Sequence, residues 1–204
     1  MNSYLDRQIR FYFGKSFDEM TEEEKTQITE ITLPYKDFNG NVTGVPIAEL
    51  SKFPNLKKCL ISGFEITDED IEVLRELSTL RGIQFSGCDF SEVKTNLGEL
   101  ELVVIDGCRN IPKSMLQANP KLRFFRATNQ NFFDVECLKG CVSLEEVYLQ
   151  RSTLVNLLEL MNLRGIRLVN LNGSKMNFLA FTHLSKNINA KVEYEKDGPP
   201  DFTR

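Results

Sequence analysis

The side chains able to do chemistry are few in this sequence of 204 residues, and they stand apart. There is one histidine, His183, beside Leu184 and two residues past Phe181 on a predicted helix. A Ser-His-Asp or Cys-His set for nucleophilic catalysis would have to recruit that one imidazole. Its setting reads instead as an ordinary helix position at or near the surface. Five cysteines are present, and Cys137 and Cys141 form a C-x-x-x-C pair. A zinc site needs several Cys or His at short spacing, and no second pair or nearby His completes one. Buried structural thiols are the expectation. Gly14-Lys15-Ser16 echoes the end of a phosphate-binding loop. The position that loop requires to be glycine is Ile9, and no strand precedes it, so the match is coincidence. The residues predict no enzyme, no metal and no cofactor.

Charge narrows the field further. The net charge is −4 and the isoelectric point about 5.3, which argues against general nucleic-acid binding, since that shows a basic excess. The acidic runs Glu22-Glu23-Glu24 and Asp68-Glu69-Asp70 fall where helices should start, a place that favours negative charge. No stretch approaches the roughly 20 apolar residues that span a bilayer, and the first residues lack a signal peptide's apolar run. A soluble, cytoplasmic protein without membrane partners is expected. The sequons Asn41-Val42-Thr43 and Asn172-Gly173-Ser174 then carry no expectation of glycan.

The elements that position these residues are set by a repeat. Apolar residues recur in the frame L-x-x-L-x-L-x-x-(N/C)-x-L about every 20 to 28 positions. The clearest copy is Leu80, Ile83, Phe85, Cys88 and Phe90. Others are Leu56/Cys59/Ile61/Phe64, Leu100/Val103/Ile105/Cys108/Ile111 and Leu122/Phe125/Ala127/Gln130/Phe132. Leu144/Val147/Leu149/Ser152/Leu154 and Leu163/Ile166/Leu168/Leu171 follow. Ile28/Ile31/Leu33/Phe38 is a degenerate first copy, and a last strand is expected through Val192 and Tyr194. In L-x-L the leucines alternate with other residues, so a short strand turns them to one face. One repeat cannot bury that face alone; stacked copies make a continuous core.

This frame resembles the leucine-rich repeat family over nearly the whole chain. The resemblance implies an α/β solenoid: a curved right-handed coil, a parallel sheet on the concave face, and short helices or irregular turns on the convex one. It also implies that the N/C position, here Cys88, Cys108, Gln130 and Ser152, satisfies backbone groups where the chain leaves each strand. The words "LDRQIRFYFGKSFDEMTEEEKTQITEITL" resemble the helical cap of bacterial internalin-like repeat proteins. Within them Leu5, Ile9 and Phe13, with Tyr12, have helical spacing, Gly14 is a stop, and Thr21 with Glu24 forms a capping box. "ITDEDIEVL", "SGC", "DGC" and "CLKGCVSLEEVYL" resemble the cysteine-containing subtype found in substrate receptors of ubiquitin ligases. The expected organisation is one continuous body: a cap over 1–27, the solenoid over 28–196 and a tail over 197–204 with a turn at Asp197-Gly198.

On the convex side "ITDEDIEVLREL" reads as a helix capped by Thr67 and Asp70, with Ile71, Leu74 and Leu77 inward. "FLAFTHLSK" reads as another, with Phe178, Phe181 and Leu184 on one face. "IPKSMLQANP" reads as one-turn or irregular.

The x residues of each strand face the concave side. Their middle column reads Leu60, Gln84, Val104, Arg126, Tyr148, Arg167 and Glu193. The column before it includes Gly82, Leu102, Phe124, Glu146 and Gly165; the column after it includes Asp106, Thr128, Gln150 and Val169. Leu102, Val104, Phe124, Arg126, Tyr148, Gln150 and Arg167 are the expected partner-binding residues, because aromatics beside Arg are favoured at interaction hot spots. A second reading is a homodimer through the same face; a third is a plain β face, where Phe, Tyr and Val satisfy propensity alone. The function expected is a non-catalytic protein-binding module, monomeric or weakly dimeric. The alternative is a substrate-recognition adaptor for an enzyme such as a ubiquitin ligase, which would dock through residues 1–27.

Overall fold

The structure, a computed structural model, describes residues 3–36, 40 and 43–195. Eight short strands lie side by side in chain order: β1 (Glu30–Pro34), β2 (Lys58–Ser62), β3 (Gly82–Ser86), β4 (Leu102–Asp106), β5 (Phe124–Thr128), β6 (Glu146–Tyr148), β7 (Leu168–Asn170) and β8 (Lys191–Glu193). Every pairing in this sheet is parallel, so each strand must be followed by a return over one face before the next begins. Seven such returns join the eight strands into the expected solenoid.

Alternation along the strands separates core from surface. On β4, Val103 and Ile105 are buried while Leu102, Val104 and Asp106 are half-buried on the other face. The inward columns stack as Leu80, Leu100, Leu122, Leu144 and Ile166, then Ile83, Val103, Phe125, Val147 and Val169, then Phe85, Ile105, Ala127, Leu149 and Leu171. All belong to one apolar cluster that runs from Leu5 to Leu184.

The turns that leave the strands are built on a second stack. The Cys88 N–H donates to Cys108 Sγ at 3.4 Å, the Gln130 N–H to Ser152 Oγ at 3.1 Å, and the Ser152 N–H to Ser174 Oγ at 3.1 Å. The same side chains reach the preceding turn: Gln130 Nε2 donates to the Ile105 carbonyl at 3.3 Å, and Ser174 Oγ donates to that of Leu149. This is the role implied for the N/C position, and Ser174 extends it by one repeat. One residue earlier each turn takes a left-handed backbone, at Gly63, Gly87, Gly107, Asn129, Arg151 and Gly173.

At the N-terminal end α1 (Ser3–Phe13) lays Leu5 and Ile9 into the core and stops at Gly14, whose φ is +72°. Phe11 and Tyr12 face away from the core, 83% and 76% exposed, so Tyr12 does not join the buried stripe expected of it. The Thr21–Glu24 box caps α2 (Glu22–Lys25), and a second box, Ser16–Glu19, holds the turn before it. On the convex side α3 (Asp68–Glu76) carries the expected Thr67–Asp70 box and buries Ile71 and Leu74. The Asp68 carboxylate accepts the N–H groups of Lys94 and Thr95, bonds that tie α3 to the next return and hold its pKa below the usual carboxylate value. In α4 (Phe178–Asn187) Leu184 is buried and Phe181 packs 4.8 Å from the Tyr194 ring, but Phe178 is exposed instead of facing inward. The remaining returns are 3-10 turns at Ile47–Lys52, Lys113–Met115, Val135–Leu138 and Leu157–Asn162.

Two expected registers are corrected. In the last repeat the inward set is Ile166, Val169 and Leu171, not Leu163, Ile166 and Leu168. The N–H groups of Arg167 and Leu168 both donate to the Glu145 carbonyl, as those of Glu145 and Glu146 do to Arg123. That pattern locks the strand three residues later than the apolar spacing suggested; Leu163 instead closes a 3-10 turn. In the fourth clear repeat Phe133, 1% exposed, fills the core, whereas Phe132 is 62% exposed. Phe38, the sequon Asn41 and the tail from 197 onward, including the turn at Asp197-Gly198, lie outside the described residues.

Candidate concave binding face

The concave face is the outer side of the sheet, and the pairing register fixes what meets there. Leu102 sits opposite Phe124 and Phe124 opposite Glu146; Val104 sits opposite Arg126 and Arg126 opposite Tyr148. Tyr148 in turn faces Asn170, not Arg167. Arg167 precedes β7 and, with Arg123, pairs with Glu145 on the rim. Val169 is buried, Gly165 lies ahead of the strand, and Leu168 and Asn170 take their places on the face.

At the centre Phe124 and Tyr148 form an aromatic pair, centroids 5.2 Å apart and planes tilted by 33°. The Arg126 guanidinium carbon lies 5.6 Å from the Phe124 centroid and 5.2 Å from that of Tyr148, a cation–π arrangement. Burial raises the Tyr148 phenol pKa, and the hydroxyl's hydrogen bond to Glu146 Oε2 at 3.1 Å adds to the rise. Gln150 lies beyond β6 at the edge of the same face, so of the expected set only Arg167 stands apart.

Two hollows flank this centre. Toward the cap a groove of about 1060 Å³ is lined by Tyr4, Phe11, Tyr12 and Phe13 of α1 and by Leu60, Gly82 and Leu102 of the sheet. Toward the turns a polar recess of about 610 Å³ is lined by Asp106, Arg126, Thr128, Gln150, Arg151 and Glu195. Gln84 borders both, so the two form one trough. The contribution of Phe11 and Tyr12 escaped the sequence reading, although two adjacent aromatics outside the Leu5–Ile9 stripe were its signal.

The groups considered for chemistry lie elsewhere. His183 is exposed on α4. All five cysteines are unpaired and buried, and burial pushes the Cys137 and Cys141 thiols up. Among the described residues no three His, Cys, Asp or Glu are grouped to hold a metal ion, and no helix is long and apolar enough to cross a membrane.

A parallel sheet wound in chain order, a polar stack at its exit turns and a helical cap define a leucine-rich repeat solenoid. Comparison with solved structures places it in the internalin-like form of that fold. Internalin C2 from Listeria monocytogenes superposes with a TM-score of 0.51 at 17% identity, covering 95% of this chain and 93% of that one. An internalin (inlF) from the same organism covers 97% of this chain and 77% of its own, at 16% identity and a TM-score of 0.35. No family model and no curated protein matches the sequence.

Proposed function

We propose that this protein is a non-catalytic module that binds a protein partner through its concave face. The observation that carries the reading is the half-buried cluster Leu102, Val104, Phe124 and Tyr148 around Arg126, on the sheet face opposite the core. These side chains lie outside the buried core on the other face of the sheet. Aromatic and Arg groups held on rigid strands lose little freedom on binding, which favours recognition by a preformed surface. The five unpaired thiols support the expected cytoplasmic, reducing setting.

The test is retention of a partner from source-cell extract on immobilised wild type and on the double variant Phe124→Glu, Tyr148→Ala, with folding checked by circular dichroism. A protein held by the wild type and lost from the variant is expected. Equal retention on both would overturn the assignment to this face. Sedimentation of the isolated chain at rising concentration separates the self-association reading, which predicts a dimer that the same variant abolishes.

A further inference from the structure

The polar recess is lined by two arginines, Arg126 and Arg151, that form no ion pair among the described residues. Three basic residues stand on the strands of the sheet. Lys58 pairs with Glu30 and Lys191 with Glu193, whereas Arg126 has no carboxylate within ion-pair distance among the described residues. Its Nε is buried and without a hydrogen-bond partner. The guanidinium rests against the rings of Phe124 and Tyr148, which favour its charge but give Nε no acceptor.

Arg151 is the second. It occupies the left-handed exit-turn position, φ +52°, where the other repeats carry Gly63, Gly87, Gly107, Asn129 and Gly173. That conformation crowds an ordinary side chain, and Arg lacks the short polar group by which Asn tolerates it. Ala118, outside the recess, shares that conformation, so what singles out Arg151 is its place in the exit-turn series beside Arg126. Arg151 makes no ion pair among the described residues and borders the same recess as Arg126. The acids that line the recess, Asp106 and Glu195, form no ion pair with either arginine among the described residues. Asp106 is held by Thr128 Oγ1 at 2.7 Å and Asn129 Nδ2 at 2.6 Å.

We infer that the recess binds a carboxylate side chain of the partner, gripped by Arg126 and Arg151, while an apolar side chain of the same segment enters the groove beside Leu60 and Leu102. This rests on the concave-face reading and names the partner's chemistry: an extended acidic segment. Leu60 on β2 and Arg126 on β5 are three strand spacings apart, about 14 Å. An extended chain covers that in about four residues.

The experiment is selection from a random dodecapeptide display library on the full chain, followed by titration of the enriched peptides against variants. Enriched peptides should carry Asp or Glu about four residues from an apolar residue. Their affinity should fall about thirtyfold in Arg126→Gln, and equally when the acid is changed to its amide. Arg151→Gly should weaken binding while raising the urea midpoint, so that its loss of affinity is not a loss of folding. Peptides that lack an acid, or that bind both arginine variants like wild type, overturn the inference; if Tyr148→Ala still weakens them, the concave-face reading survives. Peptides indifferent to all three variants overturn both, and failure to enrich any peptide overturns the inference.

Discussion

Cys59 points inward from β2, and burial pushes its thiol up to about 12. A group whose pKa is raised on folding gives its full stability below the unfolded pKa and loses it as pH rises toward the folded one. Stability should therefore fall between about pH 9 and 12, with a shallower fall in Cys59→Ala, read from urea midpoints across that range. Native protein at pH 8 should resist thiol alkylation that the unfolded chain undergoes at all five cysteines. The structural role of Cys59, Cys88 and Cys108 was legible in the sequence because each falls on the repeat frame. Arg151 was not. Backbone sign is invisible in a residue type, and only alignment with the glycines of the other exit turns exposes it.

The strands show where periodicity suffices and where it misleads. β3 to β6 follow their leucine spacing, because each has a single apolar set that fits an alternating strand. In the segment Leu163–Leu171 two sets fit, offset by three residues, and the hydrogen bonds to Glu145 choose between them. Arg167 was therefore read onto the concave face in place of Asn170. The adjacent phenylalanines at 132 and 133 posed the same choice; pairing of Phe133 with Leu154 on a short outer ladder decides it. Two substitutions separate the registers. Phe133→Ala should cost about 3–5 kcal/mol by opening a cavity against Phe125, whose ring is 5.5 Å away. Phe132→Ala should stay within about 0.5 kcal/mol. Similar losses at the two positions in urea unfolding would show that the register is wrong.

Across the whole molecule each turn of the solenoid touches mainly its neighbours, so stability is local and additive along the axis. Central strands have a partner on both sides, whereas β8 has one, and Val192 and Tyr194 are only half-buried. Amide exchange should be slowest on β4 and β5 and fastest on β8, with α1 protecting β1 from the same fraying. Uniform exchange rates along the sheet would contradict this. The solenoid and its cap were legible because the repeat is a one-dimensional signal; the trough was not, since it joins α1 to strands far along the chain. The alternation of inward and outward side chains has a consequence for heredity. Instructions for holding shape and for choosing a partner are interleaved codon by codon in every strand, yet they barely overlap. A lineage can rewrite what this surface prefers by single substitutions at outward positions while its scaffold is inherited intact, and duplicating one turn would add a fresh strip for selection to inscribe.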